Sequence, residues 1–245
     1  MGDLLEFVID AHGGLEPWSY AKTVEATVDF HGGFFDARGQ SDLLGPCEVM
    51  AALDRQYISV RSTQSGYTIV FDGELDRVIV TDQAGRVVEA LEHPRLSMLP
   101  LAPLGPSTPW TAAQTGHFIG YALWTYLMEP YIFQWPGVAT KELDEWTEAG
   151  ESWRRLEVTF PSSLFTHERT QIYYFDSRTG LQRRIDYTPQ VTRGRGAAHY
   201  TFEHRYFGGI PVPSSRRVLI RDAEGRADHY FSPIQLDVHS FALNP

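Results

Sequence analysis

The sequence predicts a mainly β protein with α-helices, an α+β fold in which one strongly curved antiparallel sheet, an unclosed barrel, wraps around a central apolar helix. Three patterns lead to this prediction: short strand-forming runs in the first and last thirds of the chain, one long apolar helical pattern between them, and a short amphipathic helical pattern at the start. No low-complexity linker separates these patterns, so residues 1–245 are predicted to form a single domain.

The opening elements are a short helix and a meander of strands. Apolar residues between Asp3 and Ala11 recur at helical spacing, and Gly13 and Gly14 supply the left-handed end that a helix often has. Short runs rich in Val, Ile, Tyr and Thr follow, separated by turn residues, and indicate antiparallel strands. These predicted strands are Thr23 to Phe30, Gln56 to Arg61, Tyr67 to Phe71 and Arg77 to Asp82.

A proline-rich segment and an apolar helix occupy the middle of the chain. The segment from His93 to Pro109 is predicted to be a long structured connection, because its prolines suit neither a central strand nor a continuous helix. The next residues, Thr111 to Phe133, have helical spacing and are apolar on nearly all faces, so we expect a helix that is buried on the concave side of the sheet and ends at Pro130. One stripe of this helix consists of His117, Tyr121, Trp124 and Met128.

The last third of the chain is predicted to be strands again. The pattern is alternating and rich in β-branched and aromatic residues, with hairpin turns such as Ser177 to Gly180. The predicted strands are Ser152 to Phe160, Glu168 to Phe175, Leu181 to Thr188, Ala197 to Tyr206, Ser215 to Arg221 and Ala227 to Val238.

Alternation assigns the side chains of the strand from Ala197 to Tyr206 to two faces. We expect the aromatic face, with Tyr200 and Phe202, to point toward the helix, together with Tyr187 of the preceding strand. The opposite face then carries His199, close to Asp186 if the two strands pair in that register.

The side chains of Asp186 and His199 have two interpretations. In a catalytic dyad, the carboxylate fixes the imidazole tautomer and raises its basicity for proton transfer. Alternatively, they form an ordinary polar pair on a solvated sheet face. His117 and His167 are open in the same way: each is a candidate for proton transfer to a ligand, whereas the structural alternatives are a hydrogen bond to a loop carbonyl for His117 and solvent exposure for His167.

The composition and the absence of other motifs exclude several functions. Thirty-one acidic against 21 basic residues give a net charge of -10, which argues against nucleic acid as a partner. The single cysteine, Cys47, excludes an intrachain disulfide and a multi-cysteine metal site. The nine histidines lack metal-binding spacing, and no nucleotide-binding glycine motif occurs, so we expect no metal and no cofactor. The alternative is a metal site assembled from distant residues such as His31, His117 and His167.

Two further expectations concern membranes and location. The best apolar stretch, Phe118 to Phe133, is interrupted by Glu129 and Pro130, so no transmembrane helix is predicted. The first residues carry acidic side chains where a secretory signal has a basic region and an apolar run, so we expect a cytoplasmic protein.

Several runs of the sequence resemble a group of uncharacterised bacterial proteins of similar length, and the resemblance covers most of the chain. The runs are Gly120 to Leu127, Trp153 to Leu156, Tyr174 to Asp176, Thr179 to Leu181, Arg184 to Tyr187, Ala198 to Tyr200 and Gly209 to Pro213, with Ala11 to Gly14 near the start. The sheet pattern of that group is similar to the lipoprotein-carrier (LolA-like) fold, an unclosed barrel with helices on its concave side. The resemblance implies a hydrophobic cavity that takes up an acyl chain or a similar apolar group.

Three functional hypotheses follow from these expectations. The first is a cytoplasmic protein that binds a hydrophobic small molecule or acyl-type ligand in a half-barrel lined by Tyr121, Trp124, Met128, Tyr187, Tyr200 and Phe202. The second is a cofactor-independent enzyme, of the lyase, isomerase or cyclase type, that acts on a hydrophobic metabolite with His117, His167 or the Asp186 and His199 pair. The third is a structural or interaction module that buries a sheet face on a partner.

Overall fold

The computed structural model describes residues 3–98, 108–192 and 195–245, and most of these residues belong to one antiparallel sheet. The strands of its first half are β1 (Thr23–His31), β2 (Pro46–Ala52), β3 (Tyr57–Ser62), β4 (Thr68–Asp72), β5 (Arg77–Thr81) and β6 (Val87–Glu92). The strands of its second half are β7 (Ala139–Glu148), β8 (Glu151–Thr159), β9 (Thr170–Asp176), β10 (Gln182–Tyr187), β11 (Gly196–Phe207), β12 (Ile210–Arg221) and β13 (Ile234–Asn244).

The sheet has an order that joins the two halves in its middle. Within the described part of the chain the order is β6-β5-β4-β3-β2-β1-β13-β12-β11-β10-β9-β8-β7, and β6 and β7 form its two separate edges. Strand β1 pairs with β13 so that Thr23 lies opposite Asn244. The unclosed antiparallel sheet predicted from the sequence is therefore confirmed.

The helices are α1 (Leu4–Ala11), α2 (Glu16–Ser19), α3 (Gly33–Asp36), α4 (Pro94–Met98) and α5 (Ala112–Met128). Helix α1 matches the predicted opening helix: the Asp3 carboxylate accepts a hydrogen bond from the backbone N–H of Leu5, and Gly13 adopts a φ of 100° just after the helix. None of the helices within the described ranges is long and apolar enough to cross a bilayer.

Helix α5 is the central apolar helix. Thr111 and Gln114 form a capping box at its start, in which each side chain accepts a hydrogen bond from the other residue's backbone N–H. The helix is buried along almost its whole length and packs against β3, β4, β5 and β6. It ends at Met128, two residues before the end predicted at Pro130, because a proline cannot continue a helix, and a 3-10 turn, Tyr131–Gln134, follows.

Close approach between α5 and the sheet depends on two helical glycines. A Cβ atom on Gly120 would lie 2.5 Å from the Cβ atom of Phe71 in β4, and one on Gly116 would lie 2.7 Å from a methyl group of Ile69. Real Cβ atoms do not approach other carbon atoms this closely. The glycines therefore set the distance at which the helix packs on the sheet.

Some strands differ from the sequence prediction. Strands β2, β6 and β7 were not predicted; β2 buries small residues such as Cys47 and Ala51, and most of β7 is exposed, so neither has a strong apolar signal. The predicted strand from Ala227 to Val238 lies later, as β13. The predicted connection from His93 to Pro109 includes α4, and its residues 99–107 lie outside the described residues.

Candidate functional site

A cavity of about 760 Å³ lies between α5, α3 and the strands β10 to β13. Most of its wall is apolar, and the wall includes Phe34, Phe118, Ala122, Val218, Ile220 and Leu236. Arg195 and Phe231 also line the cavity and are exposed, so the cavity reaches the protein surface beside them. The volume is within the roughly 300–1,000 Å³ that small-molecule pockets occupy.

Part of the wall is polar. We define the polar cluster as Tyr126, His167, Tyr187, His199 and Arg216, which contact one another and all line the cavity. They come from α5, from the loop before β9, and from β10, β11 and β12. The curvature of the sheet therefore brings together residues that are far apart in the chain.

His167 is held between two tyrosine hydroxyls of α5. Its Nδ1 lies 3.1 Å from the hydroxyl of Tyr121, and its Nε2 lies 2.8 Å from the hydroxyl of Tyr126, which in turn lies 3.1 Å from the hydroxyl of Tyr187. The imidazole also stacks on the Tyr187 ring, with centroids 4.4 Å apart. Burial and the nearby Arg95 lower the pKa of His167 to about 3, so the ring is neutral, and one tyrosine donates to it while the other accepts from it.

His199 is the least satisfied member of the polar cluster. His199 is 1% exposed, and its ring centroid lies 4.7 Å from that of Tyr126. Neither of its ring nitrogens has a hydrogen-bonding partner among the described residues. Burial, together with Arg216 and His167, holds its pKa well below the usual value. The neutral ring therefore has one unused donor and one unused acceptor beside the cavity.

The positive charge of Arg216 is neutralised. Its Nη1 lies 3.2 Å from Oε2 of Glu129, the residue that follows α5, and its Nη2 donates to the carbonyl oxygen of Tyr126 at 3.2 Å. Gln182 donates a further hydrogen bond to the same Glu129 oxygen. Burial raises the pKa of Glu129, and Arg216 opposes that rise.

Arg38 is a third arginine that lines the cavity. Arg38 follows α3, is 5% exposed, and lies against the rings of Phe34 and Trp110, at 5.3 and 4.7 Å from their centroids. Its Nη1 donates to the carbonyl oxygen of Thr108 at 3.1 Å. Burial lowers its pKa. It makes no ion pair with any described carboxylate, and its Nε has no partner among the described residues.

The residues predicted to bind a ligand lie in three places. Tyr187 lines the cavity, whereas Tyr121, Trp124 and Met128 are buried in α5 but do not line it. Tyr121 lies beside a much smaller pocket, and the Trp124 indole N–H donates to the carbonyl of Ala52. The cavity side of α5 carries Phe118, Ile119, Ala122, Leu123 and Tyr126 instead.

The expectation that Tyr200 and Phe202 point toward the helix is wrong. Tyr200 belongs to a separate small core on the outer face of the sheet, and Phe202 is 43% exposed and stacks beside it. The outer face is also rich in aromatic residues, because Trp146, Trp153 and Tyr174 belong to the same small core as Tyr200. The inner face of β11 carries Ala197 and His199.

Asp186 and His199 do not form a dyad. In the observed register Asp186 lies opposite Ala198, and His199 lies opposite Ile185, so the two side chains are on opposite faces of the sheet. The Asp186 carboxylate accepts hydrogen bonds from Nε of Arg184 at 2.6 Å and from the Tyr174 hydroxyl at 2.9 Å. The dyad required Asp186 to lie beside His199 on one face. The observed pairing is shifted by one residue, and a shift of one residue puts the two side chains on opposite faces.

The two remaining histidine candidates are both buried. His167 belongs to the polar cluster and is not solvent-exposed, because α5 and β10 cover it. His117 lies beside Tyr121 and Phe71, its Nδ1 has no partner among the described residues, and burial lowers its pKa to about 3. It does not line the main cavity.

Sequence reasoning missed Arg38, Tyr126 and Arg216. Arg216 lies on the same side of β12 as Val218 and Ile220, so a charged residue within an apolar alternation was a usable signal. Arg38 follows a four-residue helix and has no periodic pattern around it. Within the described ranges, no three His, Cys, Asp or Glu side chains are arranged to hold a metal ion.

Comparison with known proteins identifies the fold. A LolA superfamily protein from Nitrosomonas europaea is 12% identical, with a TM-score of 0.50 over 99% of this chain and 92% of that chain. A DUF1329 family protein from Desulfovibrio piger is 13% identical, also with a TM-score of 0.50, over 99% of this chain and 94% of that one. The predicted LolA-like half-barrel fold is thus confirmed. No family model and no curated protein sequence matches the chain.

Proposed function

We propose that this protein binds a hydrophobic small molecule or acyl-type ligand in the cavity between α5 and the sheet. The observation that carries the proposal is the cavity itself, which has about 760 Å³ of space, a mostly apolar wall and a few polar groups. Such a wall gives binding energy by removing apolar ligand surface from water, and the polar groups fix the orientation of the ligand. A packed core of the same residues would leave no space for a ligand.

The fold comparison supports the proposal in one respect. The resemblance to the LolA-like half-barrel implies a hydrophobic cavity between the sheet and the helices, and this chain has a cavity between α5, α3 and the sheet. Fold similarity by itself does not assign a ligand. The proposal therefore depends on the residues of this chain.

Catalysis in the cavity is less well supported than binding. His167 and His199 both line the cavity, but Asp186 and His117 do not. The pKa of His167 is about 3 and that of His199 is well below its usual value, whereas a general acid or base works best when its pKa is near the operating pH. The neutral His199 ring is suited to hydrogen bonding with a ligand, whereas both ring nitrogens of His167 are already bonded to tyrosine hydroxyls, and neither imidazole is suited to proton transfer at neutral pH.

Native mass spectrometry of the freshly purified protein, followed by solvent extraction, tests the proposal. We expect a stoichiometric apolar adduct, or binding of added long-chain lipids measured by displacement of a fluorescent apolar probe. Ala122→Phe places a ring inside the cavity and should weaken binding, whereas Ala84→Phe, in an exposed turn, should leave it unchanged. No adduct, together with no probe binding, would contradict the proposal. Cytoplasmic location stays a prediction, which cell fractionation tests.

A further inference from the structure

Arg38 is a buried cation without a counterion. Arg38 is 5% exposed, and no described carboxylate lies within 4.0 Å of its guanidinium. The residues outside the described ranges, 1–2, 99–107 and 193–194, include no Asp or Glu in the sequence. A carboxylate side chain of this chain is therefore not the partner of Arg38.

Burial of a charge without a partner is unfavourable, so the surroundings of Arg38 need an explanation. The aromatic faces of Phe34 and Trp110 and the carbonyl of Thr108 compensate part of the lost hydration. These groups also hold the guanidinium in place. Its Nε–H, which has no partner among the described residues, leaves hydrogen-bonding capacity unused.

The other charges of the cavity wall have the same sign. Arg38, Arg195 and Arg216 line the cavity, and no Asp or Glu does so among the described residues. Glu129 neutralises Arg216 from behind the wall, at 3.2 Å. No described acidic side chain acts in this way on Arg38, so the wall has excess positive charge at this position.

We propose that the cavity binds an amphiphile with an apolar body and an anionic headgroup, a carboxylate or a phosphate monoester, which pairs with Arg38. This inference rests on the proposed function and names the ligand class for the same cavity. The planar guanidinium matches the geometry of both headgroups, and its contacts with the rings of Phe34 and Trp110 reduce the entropy lost when it binds. The apolar body then lies along Phe118, Ala122 and the inner face of β12.

The test compares three ligands with the same chain: hexadecanoate, hexadecyl phosphate and hexadecanol. Their affinities for the full-length protein are measured by probe displacement below the concentrations at which they form micelles. We expect the two anions to bind about ten- to a hundredfold more tightly than the alcohol, as charge-assisted hydrogen bonds predict. Arg38→Met should remove this preference, and Arg38→Lys should retain only part of it, because an ammonium group keeps the charge but not the planar geometry of the guanidinium. Arg61→Met, an exposed arginine paired with Glu48, is the matched control and should retain it fully.

The outcomes separate this inference from the proposed function. Equal binding of the three ligands, or a preference that survives Arg38→Met and is lost in Arg195→Met, overturns the role of Arg38 but leaves the binding function intact. Failure of all three ligands and of the apolar probe overturns the proposed function. Hexadecanol serves as the internal control, because damage to the cavity weakens all three ligands alike.

A second measurement needs no variant. The carboxyl group of bound, carbon-13-labelled hexadecanoate is titrated by NMR. A neighbouring guanidinium should keep this carboxyl group ionised at pH 6, whereas apolar burial alone raises the pKa of a carboxyl group above its ordinary value of about 4.3. Protonation of the bound ligand at pH 6 would contradict pairing with Arg38.

Discussion

Glu129 and Arg216 form an ion pair from which solvent is almost completely excluded. The guanidinium Nη1 lies 3.2 Å from the carboxylate Oε2, and the two side chains are 1% and 3% exposed. The pair joins the end of α5 to β12, in the second half of the sheet, whereas the body of α5 packs against the first half. It therefore connects the helix to both halves of the sheet.

Removal of either partner of this pair should destabilise the protein. Glu129→Gln leaves a buried guanidinium unpaired, and Arg216→Met leaves a buried carboxylate unpaired, so we expect each to lower the free energy of unfolding by about 3–5 kcal/mol. The double variant should recover much of this loss, because no unpaired charge is left. Urea denaturation of the four proteins measures the coupling. If the losses of unfolding free energy in the two single variants simply add in the double variant, the ion pair is not the cause of the destabilisation.

Gly120→Ala should destabilise the protein although alanine favours helices. Alanine gains about 1 kcal/mol over glycine in a helix. Its Cβ would lie 2.5 Å from that of Phe71, which has little freedom to move, so α5 must shift at a cost of about 1–3 kcal/mol. Gly33→Ala is the control, since nothing lies within 4 Å of its Cβ position. A more stable Gly120→Ala protein, measured by thermal unfolding, would mean that α5 packs less closely than described.

His199→Phe should stabilise the ligand-free protein. The substitution keeps a ring of similar shape and removes two buried nitrogen atoms without partners, so we expect a gain of about 1–3 kcal/mol in the free energy of unfolding. His199→Gln retains polar atoms and should give no such gain. Equal stabilities of the two variants in chemical denaturation would argue against this explanation.

Stability should fall as the pH falls below 6.5. Burial lowers the pKa of His117 and His167 to about 3, so the unfolded chain takes up protons between pH 6.5 and pH 3 that the folded protein does not. The stability that each neutral imidazole contributes is complete above pH 6.5 and decreases by about 1.4 kcal/mol per pH unit below it. His117→Leu removes one of these imidazoles, so the slope of the unfolding free energy against pH between pH 6.5 and pH 5 should fall by up to about 1.4 kcal/mol per pH unit. An unchanged slope of unfolding free energy against pH would contradict the burial of His117.

The sequence was sufficient for the architecture because its main signals are strong. The apolar faces of α5 and the strand-forming runs each indicate an element without knowledge of the others. The face of the sheet on which Tyr200 lies could not be predicted in the same way. It depends on whether rings such as Trp153 form a second core on the outer face, and alternation within one strand does not contain that information.

The candidate site was harder to predict for a related reason. A cavity is space that side chains leave unfilled, and the same aromatic residues fill a core or line a pocket. Only one predicted lining residue, Tyr187, lies at the cavity within the described chain, because the side of α5 that faces it carries smaller and less conspicuous residues such as Ala122. The rotation of a helix that is apolar on nearly all faces is not specified by its pattern.

Strand β13 is the last strand in the sequence and lies between β1 and β12, near the middle of the sheet. A ribosome therefore produces β1 to β6 and α5 long before the strand that joins them to β7 to β12. Until then β1 and β12 both have unpaired backbone groups, and such edges pair readily with other chains. Pairing of Thr23 with Asn244 spans almost the entire sequence, and contacts of this kind form slowly. The nascent chain thus has an extended period in which a chaperone at these two edges would prevent aggregation.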